Sequence, residues 1–375
     1  MNKIAKTALM TGVALCVAGV VLSGAGYFAG GKDFTYTSDH MYVSGGNSFP
    51  HKNLAVMKKE QIDDFTKLNV DFENFDLDIR TSDDDHYYME YKLEKNGRKN
   101  PLTWKDKDGE LTLEESAGGS GSYYITYDLG IFSTHADLTE KKDALNTVIL
   151  YIPEKAQLSE AELQLSDGDL TVDKLFCKEA DVKLSSGDLI LTEGEIGDFT
   201  AKLGDGDFIA DKFKADQMEL KNSNGIVKAD SAELGAADIE LEDGDLNMKE
   251  LRCTDSFSLK SGNGDVVLKK AVLKDGEISL GDGELVMNNS SFGGDMDIKN
   301  SCGYVSVEMA AGTTENTNIY LKASDGEVDA SGISTGGTGS DGDEYSMYEN
   351  KVGGSAPTLN VKCGDGDITL TETDR

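Results

Sequence analysis

Proline and tryptophan are nearly missing from this chain, with four prolines and one tryptophan in 375 residues. That scarcity excludes proline-rich linkers and collagen-like structure. Histidine is just as rare. It occurs only as His40, His51, His86 and His135, so nothing after His135 offers an imidazole to act as a general base. Basic charge is short as well: 36 Lys and Arg against 69 Asp and Glu leave a formal net charge of −33. Proteins hold a phosphate backbone by neutralising it with Lys and Arg. A surface of this sign repels it, which excludes nucleic acid as a partner and disfavours anionic headgroups. Against these absences stand 42 glycines and a hydrophobic share of 38%. Many tight turns around an apolar core fit that pairing, whereas a disordered acidic tail does not.

One long hydrophobic run is present. Lys3 and Lys6 precede an uncharged stretch that extends from Thr7 to Gly31. As a helix it spans roughly 37 Å, enough for a ~30 Å hydrocarbon core. The positive-inside rule then puts the N-terminus in the cytoplasm and everything after Lys32 outside. Residues 1–31 are expected to form a transmembrane helix with a short cytoplasmic tail, its outer end marked by Tyr27 and Phe28. Small residues at Ser23-Gly24-Ala25 keep open the alternative of a cleaved signal peptide.

The second half repeats itself. The motif is apolar-x-apolar-x-x-Gly-acidic-apolar-x-apolar, as in LQLSDGDLTV at Leu163–Val172 and IELEDGDLNM at Ile239–Met248. Its glycines are Gly168, Gly187, Gly206, Gly225, Gly244, Gly264, Gly283, Gly303, Gly326 and Gly366, with successive separations of 19, 19, 19, 19, 20, 19, 20, 23 and 40. Alternation on either side of each glycine is a strand signal. Counted from the glycine, positions −7, −5, −3, +2, +4 and +7 are mostly apolar, about six inward side chains per repeat. So few cannot form a domain alone, but stacked at the ~4.8 Å strand spacing they make one continuous narrow core. The expected fold is all-β: a single-stranded β-solenoid of about 19 residues per coil, preceded by the transmembrane helix.

The remaining segments are less regular. Residues 32–64 read as a juxtamembrane linker, with a weak helical pattern at Met57–Phe65. Residues 65–155 read as irregular first coils that cap the solenoid and carry a long excursion around Tyr123–Asn146. Residues 156–375 are the regular repeats, interrupted by a polar loop at 334–357.

These features resemble the bacterial "putative adhesin" domain family of unknown function. The resemblance rests on the N-terminal membrane segment, on FDLDIRTSDDD at 75–85, on TVILYIPEKAQLSEAELQLSDGDL at 147–170, and on the repeated SSGDL and GDGD corners. It covers roughly Phe65 to Thr371. It implies a β-solenoid displayed outside the bacterial cell membrane, and it supplies no catalytic residues. The expected function is a non-catalytic binding, adhesion or scaffolding module whose partner is a cell-surface or envelope protein or a glycan. A regulatory or sensory partner of an envelope-stress system is the alternative reading, and a hydrolase or lyase acting on cell-wall glycans the third. For the last, no nucleophile–base–orienter set is in view, and no basic cluster stands out along the coils.

Two groups of residues are candidates for binding. The acids beside the glycines stack into columns of like charge about 5 Å apart, a repulsion of roughly 0.9 kcal/mol per neighbouring pair in water-like dielectric. A hard cation such as Ca²⁺ relieves that repulsion, and Asp243, Asp245, Asp265, Asp282 and Glu284 form its least broken run. On the other reading these are solvated corners screened by salt, where loss of one charge leaves stability unchanged or raises it. The second group is aromatic: Tyr123, Tyr124 and Tyr127 in the excursion, and Tyr345 and Tyr348 in the loop, which offer apolar area with a hydroxyl. The cysteines suggest no framework. Cys177 and Cys253 occupy the same repeat position four coils apart, and Cys302 and Cys363 sit at different positions two coils apart.

Overall fold

The computed structural model describes residues 34–36, 41–43, 54–117, 125–126, 145–333, 337–342 and 345–373. The stretch Thr7–Gly31 and the tyrosines Tyr123, Tyr124 and Tyr127 lie outside them. Among the described residues no helix is long and apolar enough to cross a membrane. The chain divides into two units. One comprises Met1–Ala55, Glu94–Pro101 and Ala117–Leu145. It holds a small antiparallel sheet of Phe34–Tyr36, Met41–Val43 and Ile125–Thr126. The other, Val56–Leu93, Leu102–Ser116 and Asn146–Arg375, is a stack of parallel strands.

In that stack each strand pairs with its own equivalent one repeat away. Leu170 pairs with Leu189, Leu189 with Phe208, Phe208 with Val227, and Val227 with Leu246. The seven side chains −7, −5, −3, +2, +4, +7 and +9 of a coil point inward. Position +9 was not marked by its composition, yet Cys177, Ile196, Ala215, Leu234, Cys253 and Leu273 are all buried there. Alternation fails just after it, where two exposed residues in a row, such as Asp216 and Gln217, bend the strand and reset the phase.

Close approach, more than turn conformation, explains the glycine column. A Cβ on Gly206 would lie 2.0 Å from the carbonyl oxygen of Gly187, although Gly206 is not in the left-handed region. Close approach recurs at all ten repeat glycines, whereas a positive φ is found at seven of them, Gly187, Gly225, Gly264, Gly283, Gly303, Gly326 and Gly366, with φ between 124° and 155°. Positive φ also recurs at +6, where other residues carry it: Lys212, Ser231, Glu250, Lys270 and Asn289, with φ between 50° and 58°. Gly206→Ala should therefore lower stability by about 2–3 kcal/mol through overpacking. Lys212→Gly should change it by less than about 1 kcal/mol, since relief of the strained φ offsets the added chain entropy. Urea melts of the two variants measure this. Equal effects would return the explanation to turn conformation.

The stacking order departs from the sequence order at both ends. Met296–Cys302 pairs with Thr358–Asp365, and only beyond it comes Asn318–Asp325. In space the corners run Gly303, Gly366, Gly326. The step from Gly303 to Gly366 is one ordinary coil plus the segment 313–355. That segment is thus an insertion within the last turn, and it folds back over the end of the stack. What reads as a loop at 334–357 contains two antiparallel strands: Ser346–Asn350 lies along Asn318–Asp325, and Thr338–Asp341 lies along Ser346–Asn350.

The N-terminal end follows the same plan. Lys67–Phe72 and Asp76–Ser82 form the first coil, stacked on the coil of Gly168 through Leu163↔Val70 and Leu170↔Leu77. Phe75 occupies the glycine column there, and the step from it to Gly168 is one ordinary coil plus the segment 83–156. That insertion supplies an outer layer, Glu110–Glu115 beneath Lys67–Phe72 and Thr147–Pro153 beneath Asp76–Ser82. Antiparallel strands Leu102–Lys107 and Tyr88–Glu94 edge this layer in turn. The strand Leu54–Gln61 pairs with Tyr88–Glu94, so the segment read as linker with a weakly helical end contributes to the sheet. Short antiparallel edges bearing Lys58, Lys59, Lys105 and Lys107 disfavour edge-to-edge pairing with another chain.

Candidate functional site

The repeat turns single residues into columns, and three of these bear on function. The first is the corner acid at +1. Each carboxylate accepts the backbone N–H of the same position in the next coil: Asp76 Oδ1 from Asp169 at 3.0 Å, Asp169 from Asp188 at 2.9 Å, and Asp188 from Asp207 at 2.9 Å. The chain breaks at Ile226 and resumes with Asp245 accepting from Asp265 and Asp265 from Glu284, both at 2.9 Å. Asp367 closes the other end on Glu327 at 2.8 Å. These charge-assisted bonds satisfy donors that the ladder leaves unpaired, so this acid column has a structural role. Asp76 differs from the rest, since burial pushes its carboxyl above the usual range.

The candidate cation residues therefore divide between two columns. Asp245, Asp265 and Glu284 follow one another at +1, with two of the three carboxylates engaged by backbone. Asp243 and Asp282 lie at −1, separated by Asn263, whose Nδ2 donates to Asp243 Oδ1 at 2.6 Å. Among the described residues no three His, Cys, Asp or Glu side chains gather so as to hold a metal ion.

The second column, at −4, is basic and was missed in the sequence because acids dominate the composition. Its register runs Lys183, Lys202, Lys221, Glu240, Lys260, Ser279, Lys299, Lys362 and Lys322 in successive coils. Reading the residue four before each glycine would have found it. Some heads are paired, as Lys221 with Glu240 at 3.1 Å and Lys299 with Glu277 at 2.7 Å. Lys202, Lys260 and Lys362 make no ion pair among the described residues. The neighbouring −2 column is Ser or Gly in every coil of the repeat except at Glu242, which leaves the lysine stems uncovered on that side.

The third group is aromatic. Tyr345 is 41% exposed, and Lys322 Nζ sits 4.8 Å from its ring centroid. Tyr348 is placed otherwise: it pairs with Leu321 and packs against the core, covered by the backbone of Gly337. The cysteines are mostly interior. Burial pushes the Cys177 and Cys363 thiols up to about 11, so both stay protonated and unreactive. The expectation that Cys302 and Cys363 lie two coils apart is corrected by the inserted end, which puts them on adjacent strands.

A family model described as Toastrack DUF4097 matches residues 65–268 and again 253–371. Among solved structures, a "putative adhesin" from Parabacteroides distasonis is similar at 16% identity and a TM-score of 0.42, over 68% of this chain and 97% of that one. A "putative adhesin" from Bacteroides fragilis gives 14%, 0.38, 66% and 97%. A "putative lipid binding protein" from Parabacteroides distasonis gives 12%, 0.37, 86% and 97%. No curated protein matches the chain.

Proposed function

The chain belongs to the Toastrack family, and on that premise we propose that it is a non-catalytic binding module, anchored in the bacterial cell membrane and acting outside it in adhesion or scaffolding. One observation carries this reading. The stack presents equivalent positions on coil after coil, so its chemistry forms lines along the surface, as in the −4 column, where seven of the nine positions from Lys183 to Lys322 are lysine. A catalytic site needs a convergence that occurs once, whereas an extended partner is held by repetition along a rigid surface. The Lys3/Lys6 flank and the uncharged run to Gly31 support the placement.

Protease shaving of intact cells tests both parts. Added protease should remove the β-stack and leave a membrane-bound N-terminal stub. Full protection in cells stripped of their wall would overturn the extracytoplasmic placement. A soluble, fully released product in untreated cells would overturn the retained anchor.

A further inference from the structure

The C-terminal end of the lysine column differs from the rest. There the insertion brings Lys299, Lys362 and Lys322 into direct register on three neighbouring strands, although they are far apart in sequence. In most of the preceding coils the position two before this column is acidic, as Asp181 is before Lys183 and Glu219 before Lys221. At this end the acids of that position give way to Asn360 before Lys362 and Tyr320 before Lys322. Two acids remain close by, each with a lysine partner: Glu349, opposite Tyr320, is paired with Lys351 at 2.6 Å, and Glu277 with Lys299 at 2.7 Å. Asp297, before Lys299, is engaged by Asn360 Nδ2 at 2.5 Å. Lys362 and Lys322 have no carboxylate partner among the described residues. Tyr345 lies beside Lys322 and Tyr320 shares its face, so two phenol rings flank a short line of ammonium groups.

We propose that this patch, Lys299, Lys362 and Lys322 with Tyr320 and Tyr345, binds a linear acidic glycan running along the stack. The inference rests on the binding-module reading and names its partner. Ammonium heads at the ~4.8 Å strand spacing meet carboxylates borne along a sugar chain, while tyrosine faces accept the apolar faces of sugar rings and offer a hydroxyl at their edge. Charge density selects the glycan over other polyanions. Glu349 lies across from Tyr320, and Asp365 and Asp325 stand three residues from the lysines, about 10 Å along the strand. A duplex with one phosphate per ~1.7 Å of axis, or a flat anionic membrane, has to meet those acids too. A narrow chain with one carboxylate per sugar does not.

The test uses the full-length chain in detergent with polygalacturonate as the probe. Methyl-esterified polygalacturonate, a single-stranded oligonucleotide and vesicles containing phosphatidylglycerol serve as the alternatives. Binding is expected for the free acid alone. Lys322→Ala with Lys362→Ala should weaken it by about tenfold, Tyr345→Ala should weaken it further, and added salt should do the same. Lys183→Ala with Lys221→Ala, in the acid-flanked part of the column, should leave it unchanged. The proposal is overturned by equal loss in both double variants, by binding of the esterified polymer at the same strength, by preference for oligonucleotide or vesicle, or by no binding at all. In the last case a partner captured on cells through the shaved stack would still uphold the binding-module reading. Circular dichroism of each variant separates loss of binding from loss of fold.

Discussion

Removing residues 357–375 should unfold far more of the protein than excising residues 313–355, although the first deletion is less than half the size of the second. The terminal segment lies inside the stack. Its inward side chains Leu359, Val361, Ile368 and Leu370 are 0–1% exposed, each contributing about 1.5–3 kcal/mol by burial. Its two strands pair on both sides, with the coil of Gly303 below and that of Gly326 above. Without it, Asn318–Asp325 loses its parallel neighbour and the coil of Gly303 loses its cover. A deficit of about 10 kcal/mol is comparable to the whole net stability of an ordinary domain. The larger excision joins Gly312 to Ala356 and brings Gly303 and Gly366 to the spacing that already separates Gly244 from Gly264. That variant should keep its far-ultraviolet β spectrum and lose only the cap. Its bared strand edge should make it associate with rising concentration. Thermal melts followed by circular dichroism, with light scattering at several concentrations, read out both variants. If the large excision unfolds the chain as thoroughly as the small truncation, the insertion is part of the core and not a cap.

The parts of this fold that repeat were legible in the sequence. A strand that pairs with its own equivalent one repeat away reports its partner through spacing, so parallel stacking and most inward positions follow from the glycine intervals. The ends could not be read that way. Nothing local in Thr358–Asp365 says that its neighbour is Met296–Cys302, because the intervening segment carries strand patterns of its own. The unequal last two steps, from Gly303 to Gly326 and from Gly326 to Gly366, were the available signal, and only their sum exposes the inserted coil. Position +9 escaped notice because Ala and Cys share it with Leu and Ile, which blurs its apolar character. At the corners the acids were placed outside the core, and the structure adds a contact that composition does not reveal. Repulsion between stacked carboxylates follows from composition, whereas the N–H that each one accepts is a matter of geometry. The lysine column was hidden for a related reason: in a chain of net charge −33, a line of at most one positive residue per coil, broken at Glu240 and Ser279, disappears in the average.

Corner and core of the same coil should respond to substitution on different scales, and the expected order is Leu246→Asp, then Asp245→Ala, then Asp245→Asn. Leu246 is fully buried, between Val227 and Val266 in the register, and both of those are equally buried. An aspartate there forfeits the transfer free energy of leucine, about 2–3 kcal/mol, and strands a carboxyl group where no donor is in reach. The total should reach at least about 4 kcal/mol at neutral pH. It should also depend on pH with a definite sign. The buried group would have its folded-state pKa raised above the unfolded value of ~3.9, so the deficit shrinks as acid protonates it and grows as pH rises through that range. Asp245 lies at the adjacent corner, and its Oδ1 accepts the N–H of Asp265 at 2.9 Å. Alanine removes that acceptor and should lower stability by about 1–2 kcal/mol. Asparagine keeps an amide oxygen in the same place and relieves repulsion along the column, so it should stay within about 0.5 kcal/mol of the parent. Urea melts of the three variants at pH 7 and again near pH 4.5 give the comparison. Alanine and asparagine behaving alike would show that the carboxylate-to-backbone ladder contributes nothing. A tolerated Leu246→Asp would invert the assignment of inward and outward positions on which the stack depends.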